Sequence, residues 1–380
     1  MSSFSSRTGW DLGESSFAES IRRAKAKGRS LIDLTVSNPT VCGFHYDAEA
    51  ILAPLSDPRA LVYDPDPKGM RSAREAVASY YADHGAEVDP DSIVLTTSTS
   101  EGYGYLFRLL CDAGDEILVA QPSYPLFDFL ADLEDVRLKP YPLFYDYGWW
   151  IDFAELESRI GPRTRAIVLV HPNNPTGHGT KGEERRRLEE ICERNGLALI
   201  VDEVFLDYPL NGGSLESFAL GPHRVATFVL SGLSKIAGLP QMKVGWIAAF
   251  GPERLCRSAL GRLEVIADTF LSMNAPAQFA LPSWLSNRET IKQQILQRVL
   301  SNIRTIKRCE LEQFDCEAGW SALIRLPKIG VGADGLLDEG VIVHPGSFYG
   351  MSEPERIVVS LIVREDEFST GICTIAKTIH

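Results

Sequence analysis

The chain has 380 residues, 44% hydrophobic and 23% charged, enough for a large buried core and for two domains. Its formal net charge of -13 and pI near 5.1 argue against non-specific nucleic-acid binding, which needs a basic surface. Seven cysteines, an odd number, lie scattered without a CxxC pair, so free thiols in a reducing compartment fit better than a disulfide framework or a zinc site, and no metal is expected.

The opening stretch MSSFSSRTGWDLGESSF is polar and predicts neither a signal peptide nor a membrane anchor. A helix is expected over 15–27 and a strand over 31–36. From 91 to 250, short apolar runs alternate with amphipathic stretches. The strand candidates are 92–96, 116–120, 166–171, 197–202, 225–230 and 245–250. They lack strict polar alternation, which suits strands covered on both faces. Runs such as AIVLVH and LALIVDEVF have strand length, well short of the ~20 residues of a membrane span. The stretches 101–111 and 183–195 read as helices between them, the second stopping at Gly196. Strand and helix alternating in this way predict an α/β fold with a mainly parallel sheet. After Pro276 a long helix is expected over 288–314, then strands at 322–326, 341–344 and 357–361. Both ends of the chain read as one smaller α+β domain. The expected division is 48–275 for the large domain, with 1–47 and 276–380 forming the small one.

Four segments carry candidate chemistry. In TTSTSEGYGYLF, residues 96–107, a strand ends and a helix begins among hydroxyls. Free N–H groups at such a helix start can cradle a phosphate. The simpler reading is an N-cap at Ser98 or Thr99, with Glu101 completing a capping box. No GxxxxGK[ST] or GxGxxG competes as a nucleotide site. HPNNPTG at 171–177 is a rigid turn that could aim Asn174 into a site, or a turn without a function. DEVF at 202–205 ends an apolar strand, and a carboxylate there, Asp202, stands where α/β sheets bind ligands; a loop acid is the plain alternative. In SGLSKIAGLPQMKVGW, residues 231–246, Lys235 follows an apolar strand. A desolvated lysine near another cation, here Lys243, has the lowered pKa that Schiff-base chemistry needs, although a lone lysine is usually a solvated surface group. All four segments fall at strand ends of one sheet and can converge on one crevice.

In this constellation the chain resembles the aspartate aminotransferase superfamily, the fold type I, class I/II pyridoxal-phosphate enzymes. The resemblance spans about 31–363 and rests on YDPDPKG, TTSTSE, PSYP, NNPTG, DEVF, SGLSK and HPGSFYG, in the family's order. It implies a large domain with a mainly parallel seven-stranded sheet and a smaller α+β domain. It implies pyridoxal 5'-phosphate held as a Schiff base (aldimine) on Lys235, with that lysine moving the proton during amino transfer between an amino acid and a 2-oxo acid. Asp202 resembles the partner of the pyridinium nitrogen, Asn174 the amide on the 3'-oxygen, and Tyr124 the aromatic stacked on the ring. Ser98, Thr99, Ser100, Ser231 and Lys243 fall at phosphate positions. Tyr63 resembles the tyrosine that reaches a neighbouring subunit's phosphate, which implies a homodimer. Another amino-acid reaction on the same fold, such as β-elimination, decarboxylation, cyclisation or oxidation, is the alternative. The expected setting is cytoplasmic, without nucleic-acid or membrane partners.

Three positions depart from the family pattern. Phe205 stands where tyrosine is common, Lys243 where arginine is common, and Val358 where the arginine for the substrate α-carboxylate is usual. Arg356, one pleat before Val358, is the nearest substitute on the same strand face, with Arg364 a poorer one, backbone N–H groups near Ser37 and Asn38 the alternative, and a substrate that lacks a free α-carboxylate or presents it in another orientation the third reading.

Overall fold

The computed structural model describes residues 4–210, 212–327 and 331–379. Its largest feature is an eight-stranded sheet. The spatial order is Ile93–Thr96, Gly245–Phe250, Thr227–Gly232, Ala198–Asp202, Thr164–Val170, Glu116–Gln121, Arg137–Tyr145 and Trp149–Ile151. The central pairings, from Thr227–Gly232 across to Arg137–Tyr145, are parallel. Gly245–Phe250 runs antiparallel to both of its neighbours. The first seven strands in that order match the expected sheet, and Trp149–Ile151 adds an eighth by a hairpin with Arg137–Tyr145. The six predicted runs all became strands. The run over 137–145 escaped local reading because Pro140 and Pro142 remove ladder donors, a pattern confined to sheet margins.

Strands Ile93–Thr96, Ala198–Asp202 and Thr227–Gly232 are buried along their whole length, which explains their unbroken apolar character. Helix Thr99–Leu110 packs close to the sheet: a Cβ on Gly102 would stand 2.5 Å from Leu230 Cδ2. The second helix expected there forms as Gly182–Asn195, and Gly196 closes it with φ of 64°.

A four-stranded antiparallel sheet, in the order Glu312–Gln313, Ser321–Arg325, Arg356–Ser360 and His344–Pro345, forms the smaller unit. Ile32–Asp33 pairs with Val341–Ile342 beside it, joining the N-terminal segment to the C-terminal part, and this strand is shorter than the expected 31–36. The long helix is Arg288–Arg308 and stops six residues before position 314. Glu310 has φ of 55°, which turns the chain into the strand Glu312–Gln313; no glycine or proline marks the stop in sequence. Helix Ala275–Ser286 shares an apolar cluster with the large sheet through Ala277, Leu281 and Trp284. Among the described residues, no helix is long and apolar enough to cross a membrane.

Candidate active site

A cavity of about 610 Å³ opens between the ends of the large-sheet strands and the smaller sheet. Ser98, Thr99, Ser100, Tyr124, Asn174, Asp202, Lys235 and Lys243 all line it. Eight residues from five separate segments therefore meet in one place, as their positions at strand ends suggest.

The helix start is built by its own side chains. Ser98 is the N-cap and accepts from Glu101 N at 3.2 Å. Glu101 reaches back one residue further than a capping box requires, accepting from Thr97 N at 2.7 Å and Thr97 Oγ1 at 3.1 Å. Strand Gly245–Phe250 lies so near that a Cβ on Gly245 would meet Ser98 C at 2.9 Å and Thr99 N at 3.0 Å. Only glycine leaves this turn of backbone undisturbed.

Asp202 ends the central strand Ala198–Asp202 and is 7% exposed. Its carboxylate accepts from Val204 N and from Tyr103 Oη, both at 3.1 Å. Burial pushes its pKa up to about 6, and these two donors together with Lys235 act against the rise. Lys235 sits in the short helix Leu233–Ile236, just past strand Thr227–Gly232. Desolvation lowers its amine to about 8, with Asp202 pulling the other way. Its Nζ lies 4.8 Å from the Trp320 ring centroid and 5.4 Å from that of Phe205. Tyr208 donates to the Lys235 carbonyl at 2.6 Å and does not line the cavity, so it holds the lysine's backbone.

Asn174 is held by Ser321, whose hydroxyl donates to Asn174 Oδ1 at 3.2 Å and leaves the amide N–H groups available. The turn behind it is fixed by Gly177 N donating to Asn173 O at 2.8 Å and Thr176 Oγ1 to Asn173 Oδ1 at 2.9 Å. Gly177 has φ of 70°, and a Cβ there would meet Ala318 O at 2.7 Å. Tyr124 is 44% exposed and meets Phe348 edge-on at 6.3 Å between ring centroids.

Two expected cofactor residues lie elsewhere. Ser231 is fully buried inside strand Thr227–Gly232 with its Oγ unpartnered; Ser234, four residues before the loop at Gly238, lines the cavity instead. Tyr63 is 82% exposed and borders a separate groove of about 370 Å³ formed with residues 267–278. The arginine substitutes also point away: Arg356 pairs with Glu353 at 2.6 Å, Arg364 contacts Asp366, and neither lines the cavity. Ser37 does line it.

Sequence reasoning missed Tyr103, Trp320, Ser321, His344 and Phe348. Tyr103 was within reach, since it stands four residues after Thr99 and so shares its helix face. His344 and Phe348 lie within HPGSFYG, a motif that was not read for site residues, whereas Trp320 and Ser321 lie outside any local pattern and arrive through the smaller sheet.

The two-layer arrangement, with a large mostly parallel sheet, a smaller sheet and a lysine at the cleft between them, defines a fold type I enzyme. The family model for aminotransferase class I and II matches residues 30–367, and the chain belongs to this family. Glutamate-pyruvate aminotransferase AlaA of Escherichia coli K12 is 26% identical over 373 residues, covering 94% of this chain and 92% of that protein. Alanine aminotransferase of Mycobacterium bovis is 27% identical, covering 88% and 82%. Among solved structures, an alanine aminotransferase from Pyrococcus furiosus superposes with a TM-score of 0.88 at 21% identity, covering 99% of each chain. A single mutant of Thermus thermophilus aspartate aminotransferase gives 0.83 at 21% identity, covering 100% of each chain.

The chain is thus an enzyme that transfers amino groups with pyridoxal 5'-phosphate, and amino-group transfer is favoured over the other reactions of the fold. The residues present fit that cofactor. A buried amine of lowered pKa suits an aldehyde, a buried carboxylate suits a ring nitrogen, and a glycine-backed helix start with three hydroxyls suits a phosphate.

Proposed function

We propose that Lys235 carries the cofactor in a Schiff base and that the cavity around it performs transamination. The single observation that supports this best is a lysine of lowered pKa sharing a cavity with a buried carboxylate and the hydroxyl-lined helix start. Bound pyridoxal phosphate supplies an electron sink that makes the substrate's α-proton acidic. With the cofactor bound, Lys235 would be the group that holds and moves that proton, at Nζ. Its lowered pKa lets it act as a base near neutral pH. Asp202 holds the ring nitrogen protonated, and Tyr103 orients that carboxylate. Asn174 donates to the 3'-oxygen, steadied by Ser321. Tyr124 covers the ring, and Ser98, Thr99, Ser100, Ser234 and Lys243 take the phosphate.

The same reading makes the molecule a cytoplasmic homodimer in which Tyr63, exposed in the single chain, reaches its partner's phosphate. It also keeps the division into 48–275 and the flanking segments 1–47 and 276–380, with helix Ala275–Ser286 packed on the larger part. The test is Lys235→Ala. The variant should fold, lose the borohydride-reducible adduct and lose turnover. Full activity with a reducible adduct in the variant would sink the assignment.

A further inference from the structure

The cavity has two unlike walls. Lys235, Lys243 and Asp202 stand on the side of the large sheet. The facing wall comes from the N-terminal segment and the smaller sheet: Thr35, Trp320, Ser321, His344, Val358 and Ser360. Its side chains are drawn together by pairing, since Ser321 is in register with Ser360 and His344 with Val358.

No residue of this wall carries a fixed positive charge. Burial pushes the His344 imidazole below its ordinary range, with Asp33 drawing it back. The arginines of the smaller sheet are committed elsewhere. Arg356 pairs with Glu353 at 2.6 Å, Arg325 with Glu312 at 2.8 Å, and both lie over the Phe314 ring. What the wall does hold is neutral hydrogen-bonding capacity without a partner among the described residues. The Ser360 hydroxyl, in a residue 5% exposed, has none, and neither has the Trp320 indole N–H, in a residue 2% exposed. Unpaired groups of this kind are costly unless a ligand satisfies them.

Neutral donors differ from a guanidinium in what they reject. A desolvated cation favours a carboxylate over an uncharged isostere by about thirtyfold or more. A hydroxyl both donates and accepts, and an indole N–H donates to any oxygen, so neither separates a carboxylate from a carboxamide or an alcohol. We infer that this wall receives the group beside the substrate's reacting amine through neutral hydrogen bonds, and that the enzyme takes amino-acid amides and amino alcohols as well as amino acids. The inference rests on the transamination reading, which places the reacting amine at Lys235.

The experiment titrates the holoenzyme by calorimetry with 2-methylalanine and with 2-methylalaninamide, concentrations being corrected to the free amine. Neither compound has the α-proton that transamination removes, so the heats report binding alone. The expected dissociation constants agree within about tenfold, or favour the amide. An acid bound more than about tenfold tighter than its amide overturns the inference. Val358→Arg places a cation in the wall and should shift the ratio towards the acid by about thirtyfold; an unchanged ratio overturns the placement of this wall against the substrate. Ser360→Ala is the gentler variant. It should weaken acid and amide alike, and a loss confined to one of them overturns the shared subsite. Failure of the underlying reading looks different: the wild-type protein would then lack the visible absorbance that Lys235→Ala removes.

Discussion

The two sides of the cavity are encoded at different ranges in the chain. On the large-sheet side each contributor sits in a short motif at the end of its own strand: TTSTSE after Ile93–Thr96, NNPTG after Thr164–Val170, Asp202 at the end of Ala198–Asp202, and SGLSK across the end of Thr227–Gly232. On the facing side the contributors come from residues 35, 320–321, 344 and 358–360, and only pairing between strands far apart in the chain brings them together. The first side is charged and matches an aldehyde, a pyridinium and a phosphate. The second is neutral. Cofactor chemistry can thus be spelled by local signals, whereas substrate preference here is a product of long-range folding.

The sharpest way to break this contrast is at Asp202. Asp202→Asn keeps the shape and hydrogen-bonding reach of the side chain but removes the charge that, in the proposed role, would hold the ring nitrogen protonated. Turnover should fall by about 100- to 1000-fold, the usual cost of losing a preorganised electrostatic partner, while the protein still binds cofactor. Single-turnover rates with and without the substitution check it, and an unaltered rate would mean that this side of the cavity is misassigned.

A second prediction concerns pH. The amine of Lys235 is lowered from 10.5 to about 8, a drop of about 2.5 units. At pH 7 its neutral fraction is therefore about 300-fold larger than that of an unperturbed lysine. Capture of pyridoxal phosphate by the cofactor-free protein should accelerate as pH rises and level off above about 8. A rate still climbing steeply at pH 10 would contradict it. The linkage has a definite sign. Because the folded-state pKa is depressed, the stability tied to the neutral amine is present above the unfolded value of 10.5 and is lost as pH falls through about 8.

Gly245 tests the phosphate end of the charged side. An added methyl would press on Ser98 C at 2.9 Å and Thr99 N at 3.0 Å, both backbone atoms that cannot swing aside. Gly245→Ala should displace the helix start and weaken cofactor retention by about tenfold, with about 1–3 kcal/mol of lost stability. Equilibrium dialysis and thermal unfolding measure the two effects separately.

How far the sequence could be read follows the same division. The strands of the large sheet were visible because burial on both faces leaves continuous apolar runs, and the lysine, aspartate and asparagine because each stands at a strand end. Strand 137–145 was hidden by its prolines, and the end of helix Arg288–Arg308 by a non-glycine residue, Glu310, in the left-handed region. Ser231 misled because a serine at a strand end gives no sign of which layer it faces; burial turned it into the core and left Ser234 at the cavity. Trp320 and Ser360 could not be found locally, since 40 residues separate them and their meeting depends on the register of two strands.

The smallest expected effect belongs to Arg356, and it is informative because it is small. Strand geometry makes Arg356 an attractive partner for a substrate carboxylate, since residues two apart share a face and Val358 lines the cavity. Position along the strand decides otherwise. Arg356 is the first residue of strand Arg356–Ser360, in register with Arg325. There its guanidinium is occupied by Glu353 at 2.6 Å and by the Phe314 ring at 5.4 Å. To reach the cavity it would have to abandon both contacts. Arg356→Gln should therefore leave kcat/KM for an accepted amino acid within about twofold of wild type, whereas loss of a true carboxylate partner would lower it by about thirtyfold or more. A drop of the larger size would return a cation to the substrate wall and remove the contrast between the two sides of the cavity.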